Sequence, residues 1–108
     1  MAATIVYSPE SVDHLAVLTK QEQTTIIDQV QQLLTHEPTL PSRKRKFLRP
    51  NALAQWELRL GDLRVFYDVT IEEVSDGDTK HESTTVTIKA VGKKEHNQLR
   101  IGGKRIDL

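Results

Sequence analysis

The sequence predicts an α+β fold: a small, twisted, largely antiparallel sheet with an N-terminal helical hairpin on one face. Three observations carry this. A hairpin with period-two alternation occupies residues 56–69. A capped helical stripe precedes it at residues 19–34. The order of segments is strand, helix, helix, strand, strand, strand, short helix, with no repeat or linker between them. With 108 residues the chain is expected to form one domain over 1–108.

Thr4-Ile5-Val6-Tyr7 reads as a short strand of β-branched and aromatic residues. Ser8-Pro9-Glu10 starts a helix: Ser8 caps it, Pro9 suits the first helical position, and Glu10 meets the positive end. Val12, Leu15, Ala16 and Leu18 form its apolar face. Thr19 and Glu22 have capping-box spacing for a second helix. Ile26, Ile27, Val30, Leu33 and Leu34 form its stripe, and Pro38 and Pro41 close it. Residues 42–54 lack periodicity and read as a loop or irregular strand, with a turn at Pro50-Asn51.

Trp56-Glu57-Leu58-Arg59-Leu60 alternates apolar and polar residues, Gly61-Asp62 suits a two-residue primed turn, and Leu63 to Val69 resumes as a strand. That turn length sets Leu60 opposite Leu63, Arg59 opposite Arg64, Leu58 opposite Val65, and Trp56 opposite Tyr67. Trp56, Leu58, Leu60, Leu63, Val65, Tyr67 and Val69 then share the core face; Glu57, Arg59, Arg64 and Phe66 share the other. Residues 75–80 form a polar turn. Thr84 to Val91 is a strand with Val86, Ile88 and Ala90 inward and Lys89 on the opposite face. Gly92 is expected to break it, and Lys93 to Leu99 to form one or two helical turns. Gly102-Gly103 admits a turn before Ile106-Asp107-Leu108, which is expected to pair at a sheet edge.

Composition excludes several classes. Cysteine is absent, which removes disulfide scaffolds, thiolate zinc sites and cysteine nucleophiles. No P-loop, dinucleotide-binding glycine motif or nucleophile elbow is present. His14, His36 and His81 lack paired ligand spacing, so neither metal nor cofactor is expected. No apolar run approaches a membrane span, and the start has no basic leader, so the expected location is the cytoplasm.

Equal numbers of acidic and basic residues, 15 each, hide a pattern. Residues 1–42 hold one basic and five acidic residues (net −4), and 43–64 hold seven and two (net +5). Residues 65–88 hold one and six (net −5), and 89–108 hold six and two (net +4). If the two basic blocks meet in space they form one positive surface.

Arg59 and Arg64 are directly opposed like charges, an arrangement that disfavours a sheet unless something neutralises it. An anion such as phosphate, held by guanidinium forks, satisfies this; so does a bridge from Glu57, two residues from Arg59 on the same face. Arg43, Lys44, Arg45, Lys46 and Arg49 fit contact with a phosphate backbone, or a solvated loop. His96 sits in a basic segment and could move protons near neutral pH.

The order of elements and three segments together resemble the RelE/ParE superfamily of type II toxins. The segments are the hairpin Trp56–Val69, with its Arg64-Val65-Phe66-Tyr67 run, then Val91-Gly92-Lys93-Lys94-Glu95-His96-Asn97, then Leu99-Arg100-Ile101-Gly102-Gly103-Lys104. The similarity spans essentially the whole chain. It implies a toxin held silent by a cognate antitoxin protein. RelE-like members cleave mRNA in the ribosomal A site without metal: the 2′-hydroxyl attacks the adjacent phosphate, and basic residues on the concave sheet face neutralise it. ParE-like members poison DNA gyrase and hydrolyse nothing.

Carried over by position, Arg64 matches the arginine at the scissile phosphate. Arg59 lies at a strand lysine and Lys94 at a second phosphate-binding arginine. Glu57 replaces a lysine. Arg100 stands where a tyrosine transfers protons, which leaves His96 for that task. The resemblance thus implies a ribosome-dependent endoribonuclease that inhibits translation, with Arg64, Lys94, His96 and Arg59 catalytic. Arg43, Lys44, Arg45, Lys46, Arg49, Lys89, Lys93 and Arg100 would bind RNA phosphates. A non-enzymatic gyrase inhibitor, or an inactive member that only binds its antitoxin, are the alternatives. In this fold the hairpin arginines and the segment after the last strand are expected to meet on the open sheet face, with the acidic blocks elsewhere.

Overall fold

The computed structural model describes residues 2–107. The chain forms β1 (Thr4–Tyr7), α1 (Pro9–Ala16), α2 (Lys20–Leu34), β2 (Arg45–Phe47), β3 (Trp56–Leu60), β4 (Leu63–Asp76), β5 (Thr79–Glu95), β6 (Gln98–Ile101) and β7 (Lys104–Ile106). Leu108, expected at the sheet edge, lies outside the described residues, as does Met1.

Both helices start as their caps dictate. Ser8 Oγ accepts from the Ser11 N–H at 3.1 Å, and Pro9 opens α1. At α2, Thr19 Oγ1 accepts from the Glu22 N–H at 3.1 Å, and Glu22 Oε1 accepts from the Thr19 N–H at 3.0 Å. These two bonds satisfy end donors that the helix itself leaves unpaired.

Strands β2-β3-β4-β5-β6-β7 form a continuous antiparallel ladder, and β1 pairs in parallel with β5. The two share one edge of β5, β1 along 85–88 and β6 along 92–95. The β3–β4 register is the expected one, from Leu60 opposite Leu63 to Trp56 opposite Tyr67. Gly61 takes the left-handed φ of 62° that such a turn asks of its first residue. Leu15 of α1 and Ile26, Val30 and Leu34 of α2 join one buried cluster with Trp56, Leu58, Leu63, Val65, Tyr67, Val86 and Ile88. Within it α1 lies against β5 and α2 against β4, so each helix seats on the sheet.

Three expectations are corrected. Residues 93–99 are not helical: β5 runs through to Glu95 and turns at His96-Asn97, with φ of 52° and 63°, into β6. Gly92 does not break the strand. It permits close approach of β6, because a Cβ there would lie 2.5 Å from the Arg100 carbonyl oxygen. Ala90 does not share the face of Val86 and Ile88. A bulge leaves Lys89 as an extra residue between the pairs Phe66–Ala90 and Tyr67–Ile88, and one extra residue reverses the alternation beyond it. Val91 takes the core position instead.

Phe66 shares the face of Glu57, Arg59 and Arg64, as expected. It is fully buried on the far face in a second cluster with Ala54, Ala90, Leu99 and Ile101, covered by Leu48, Leu53 and Ile106. Burial of that ring contributes roughly 1.5–3 kcal/mol. The cover is held by Asn51, whose Oδ1 accepts from the N–H groups of Leu53 (2.7 Å) and Ala54 (3.1 Å). Part of the segment left open as loop or strand is β2, the outer edge of the sheet.

Strands β4 and β5 continue as a two-stranded ribbon, paired from Thr70–Thr85 to Asp76–Thr79 around the Gly77-Asp78 turn. The ribbon stretches the molecule to 54 × 29 × 25 Å. It carries Glu72, Glu73, Asp76, Asp78 and Glu82, so the third charge block projects as an acidic arm.

Candidate functional site

The open sheet face is built from alternate residues of β2, β3, β4 and the far end of β5. Pairing puts Lys46 opposite Glu57, Glu57 opposite Phe66, and Arg59 opposite Arg64. Beyond the bulge the same face presents Gly92 and Lys94, with Leu99 opposite Lys94. The cations therefore stand around an apolar floor made by the Phe66 cluster.

The opposed arginines are accommodated differently. Arg59 Nε donates to Glu57 Oε1 at 2.7 Å. Glu57 is only 7% exposed, a carboxylate set into a cationic wall. Both features the sequence left open, a bridging acid and a cluster of cations, are thus present together. Arg64 Nη1 donates to the backbone carbonyls of Gly61 and Leu63, the latter at 2.9 Å. Its Nε is buried without a hydrogen-bond partner. A buried guanidinium N–H with no acceptor is costly, and an arriving anion that accepts from it would remove the cost.

Two cavities adjoin here. One, of about 350 Å³, is lined by Lys46, Glu57, Arg59, Lys94, Leu99 and Arg105 among others. The second, of about 770 Å³, lies between the β3–β4 and β5–β6 turns and is lined by Asp62, Arg64, Lys93, Lys94, Glu95, His96 and Asn97. Lys94 and Asn97 border both. The left-handed turn at His96-Asn97 places Asn97 at the junction and His96 on the second cavity.

The remaining cations divide. Lys93 turns to the helix side and pairs with Glu22 Oε2 at 2.7 Å. This bond holds the Lys93 ammonium above its ordinary pKa and the Glu22 carboxyl below its own. Arg100 is opposite Lys93 and borders a small cavity with His14. Arg45 donates from Nε (3.1 Å) and Nη2 (2.9 Å) to the Leu33 carbonyl, closing the C-terminal end of α2. Arg43 and Lys44 are exposed in the loop before β2. Arg49 and Lys89 line a separate cavity of about 390 Å³ over the Asn51 turn. Of the expected basic set, then, Arg59, Arg64, Lys94 and Lys46 meet, with His96 beside them. Arg45 and Arg100 do not join them, and Lys93 borders the second cavity with its ammonium held by Glu22.

Arg105, Asn97 and Gln98 border the smaller cavity without having been singled out in the sequence. Their only signal was proximity to the last basic block, and the helical reading of 93–99 hid it. His14 is a second feature invisible beforehand: its Nδ1 accepts from the Val91 N–H at 3.3 Å, and burial lowers its pKa. Among the described residues no group of three or more His, Asp or Glu side chains is placed to hold a metal ion. No helix among them is long and apolar enough to cross a membrane.

The site defines a class: an α+β domain with a cation-lined concavity on the open face of its sheet. No protein-family model and no curated protein matches the chain. The structure is similar to a chain of the toxin–antitoxin complex RelBE2 from Mycobacterium tuberculosis, with a TM-score of 0.61 and 21% sequence identity. The match covers 87% of this chain and all of that one. What the two share at this identity is the fold.

Proposed function

We propose that the chain is a RelE-like toxin of the RelE/ParE superfamily, a ribosome-dependent mRNA endonuclease that inhibits translation in the cytoplasm and is held silent by a cognate antitoxin. The observation that carries this reading is the convergence of Arg59, Arg64 and Lys94 with one buried carboxylate, Glu57, and one exposed imidazole, His96, around two joined cavities. The fold shared with a chain of a toxin–antitoxin complex supports the toxin assignment and the antitoxin partner.

In this reading the scissile phosphate sits at Lys94, with Arg64 offering its unpartnered Nε–H to a phosphate oxygen. Preorganised cations lower the energy of the extra negative charge on a five-coordinate phosphorus. Glu57 Oε1 is held by Arg59, which leaves Oε2 to accept the proton of the attacking 2′-hydroxyl. His96 in its protonated form donates to the departing 5′-oxygen. The products are a 2′,3′-cyclic phosphate and a free 5′-hydroxyl, with no water consumed. Each proton transfer of this kind contributes about 10²–10⁴-fold.

The test is cell-free translation with primer extension on the message, using the wild type, Arg64→Ala and a reaction without ribosomes. Cuts that require ribosomes and vanish in Arg64→Ala are expected. Unimpaired translation with uncut message would remove this reading and leave the non-enzymatic gyrase inhibitor, tested by supercoiling.

A further inference from the structure

Strands β4 and β5 carry opposite charge at their two ends. β4 begins beside Arg64 and ends at Asp76, roughly 40 Å away at about 3.3 Å per residue. Alternation along it sets Arg64, Phe66, Glu72 and Asp76 on one face of the sheet. The cation-lined cavities occupy the first end. The ribbon at the other end, residues 70–85, holds five acidic residues and one basic (net −4). Its reverse face is acidic as well, because Glu73 stands directly opposite Glu82. Like charges so opposed disfavour a sheet. Lys80 lies 3.7 Å from Glu73, whereas Glu72, Asp76, Asp78 and Glu82 enter no ion pair among the described residues. The ribbon also lacks a third strand: β3 pairs with β4 only as far as Tyr67, and β1 with β5 only from Thr85 onward. Its Ile71 is 55% exposed. A two-stranded ribbon standing alone in water is marginal. A partner that supplies cations relieves both the charge and the exposure.

We infer that the acidic arm docks on the cation-lined concavity of a second copy of this chain, and that two copies close into a reciprocal antiparallel dimer. The occupant follows from charge. A surface complementary to the arm is present on the same molecule, in the basic blocks of net +5 and +4. Glu57, Asp62, Glu95 and Asp107 temper the cations around the cavities without cancelling them. A two-fold axis across the shared face lays each arm over the other copy's concavity, so both poles are satisfied at once. Head-to-tail stacking leaves one pole open at each end and grows into a chain. A single copy cannot make the contact, because the length of β4 holds its two poles apart. In the dimer the arm carboxylates lie where an anion would meet Arg64 and Lys94, so self-association closes the site to anionic ligands. The inference concerns the charge of the two ends and stands whether or not the chain cleaves RNA.

The experiment is sedimentation equilibrium of the full chain at about 0.1 M and about 1 M NaCl, between which the Debye length falls from about 10 Å to about 3 Å. A species of two chains is expected at low salt, with a dissociation constant that rises about tenfold or more at high salt. Two charge-reversed variants then assign the contact: Glu72→Lys with Asp76→Lys on the arm, and Lys46→Glu with Lys94→Glu in the concavity. All four positions are exposed. Each variant alone is expected to sediment as one chain. An equimolar mixture is expected to recover the dimer, because both of its contacts then join opposite charges, and that recovery shows both variants to be folded. Inorganic tripolyphosphate, an anion that competes for the concavity, is expected to dissociate the wild-type dimer. One chain at every concentration and salt overturns the inference and leaves the arm to a different, basic partner. Species larger than two overturn the closed pair. A dimer that persists in both variants puts the interface elsewhere and overturns it too. Message cut by a chain that never dimerises keeps the proposed function and removes this inference.

Discussion

Arg59 and Arg64 stand directly opposite one another across the β3–β4 hairpin, and each is accommodated by a different partner. Arg59 takes the Glu57 carboxylate at 2.7 Å, whereas Arg64 takes two backbone carbonyls at the turn and keeps one buried N–H unpaired. One arginine is thereby partly neutralised and the other is left needing an anion.

Glu57→Gln is expected to reduce message cleavage by about 10²–10⁴-fold with little change in stability. The amide keeps the acceptor for Arg59 but is no longer a base. Glu57→Ala is expected to cost in addition about 1 kcal/mol or less, because Arg59 is 44% exposed and water replaces its partner. Primer extension and urea denaturation on the same samples check both. A Glu57→Gln protein that cuts normally would remove Glu57 from the chemistry.

Arg64→Lys is expected to be nearly as inactive as Arg64→Ala. An ammonium can balance charge but cannot offer a fork to phosphate while also reaching the turn carbonyls. Cleavage rates of the two variants, compared at equal ribosome occupancy, decide it. Recovery in Arg64→Lys would mean that charge alone suffices.

Lys94→Ala is expected to lower cleavage far more than Lys93→Ala, although the residues are adjacent. Lys94 borders both cavities, while Lys93 is engaged by Glu22 on the helix side. Lys93→Ala should act on thermal stability instead. Melting curves and cleavage assays together separate the two roles.

Acid is expected to weaken the fold in two steps. His14 has its pKa lowered by burial, with Nδ1 unprotonated to accept from Val91. Its contribution is full above the ordinary histidine value of about 6.5 and is lost as the pH falls through its depressed one. Glu22 has its pKa lowered by the Lys93 hydrogen bond and the Thr19 cap. Its contribution is full above about 4.3 and is lost below that range. Denaturation midpoints measured across this pH range should lose the upper step in His14→Ala and the lower one in Glu22→Gln.

Tyr67→Phe is expected to cost about 1–2 kcal/mol. The fully buried Tyr67 donates its hydroxyl to the Pro38 carbonyl at 2.7 Å, tying the segment after α2 to the sheet. The variant keeps the ring and its stacking on Trp56 but leaves that carbonyl unpaired. Chemical denaturation reads the difference directly.

Local signals reached the β3–β4 hairpin and both helix starts. Trp56 to Val69 alternates around a two-residue turn that sets its own register, and Ser8 and Thr19 cap the helices with atoms a few residues away. The β5–β6 hairpin escaped because its turn is His96-Asn97, with no glycine to announce the left-handed conformation, and because Gly92 reads as a break when its purpose is contact with Arg100.

The membership of the site divides along the same line. That Arg59 and Arg64 oppose each other, with Glu57 beside them, was determined by the sequence alone, since pairing parity and one turn suffice. Which later cations join them was decided only by the tertiary structure. The extra residue at Lys89 reverses the alternation of β5, sending Lys94 to the open face and Lys93 to the helices. Arg45 is drawn to the end of α2, and Phe66 is buried because loop 48–54 and β7 come back over it. A bulge and a returning loop depend on contacts between residues far apart in the chain, and no local pattern of charge or hydrophobicity encodes them.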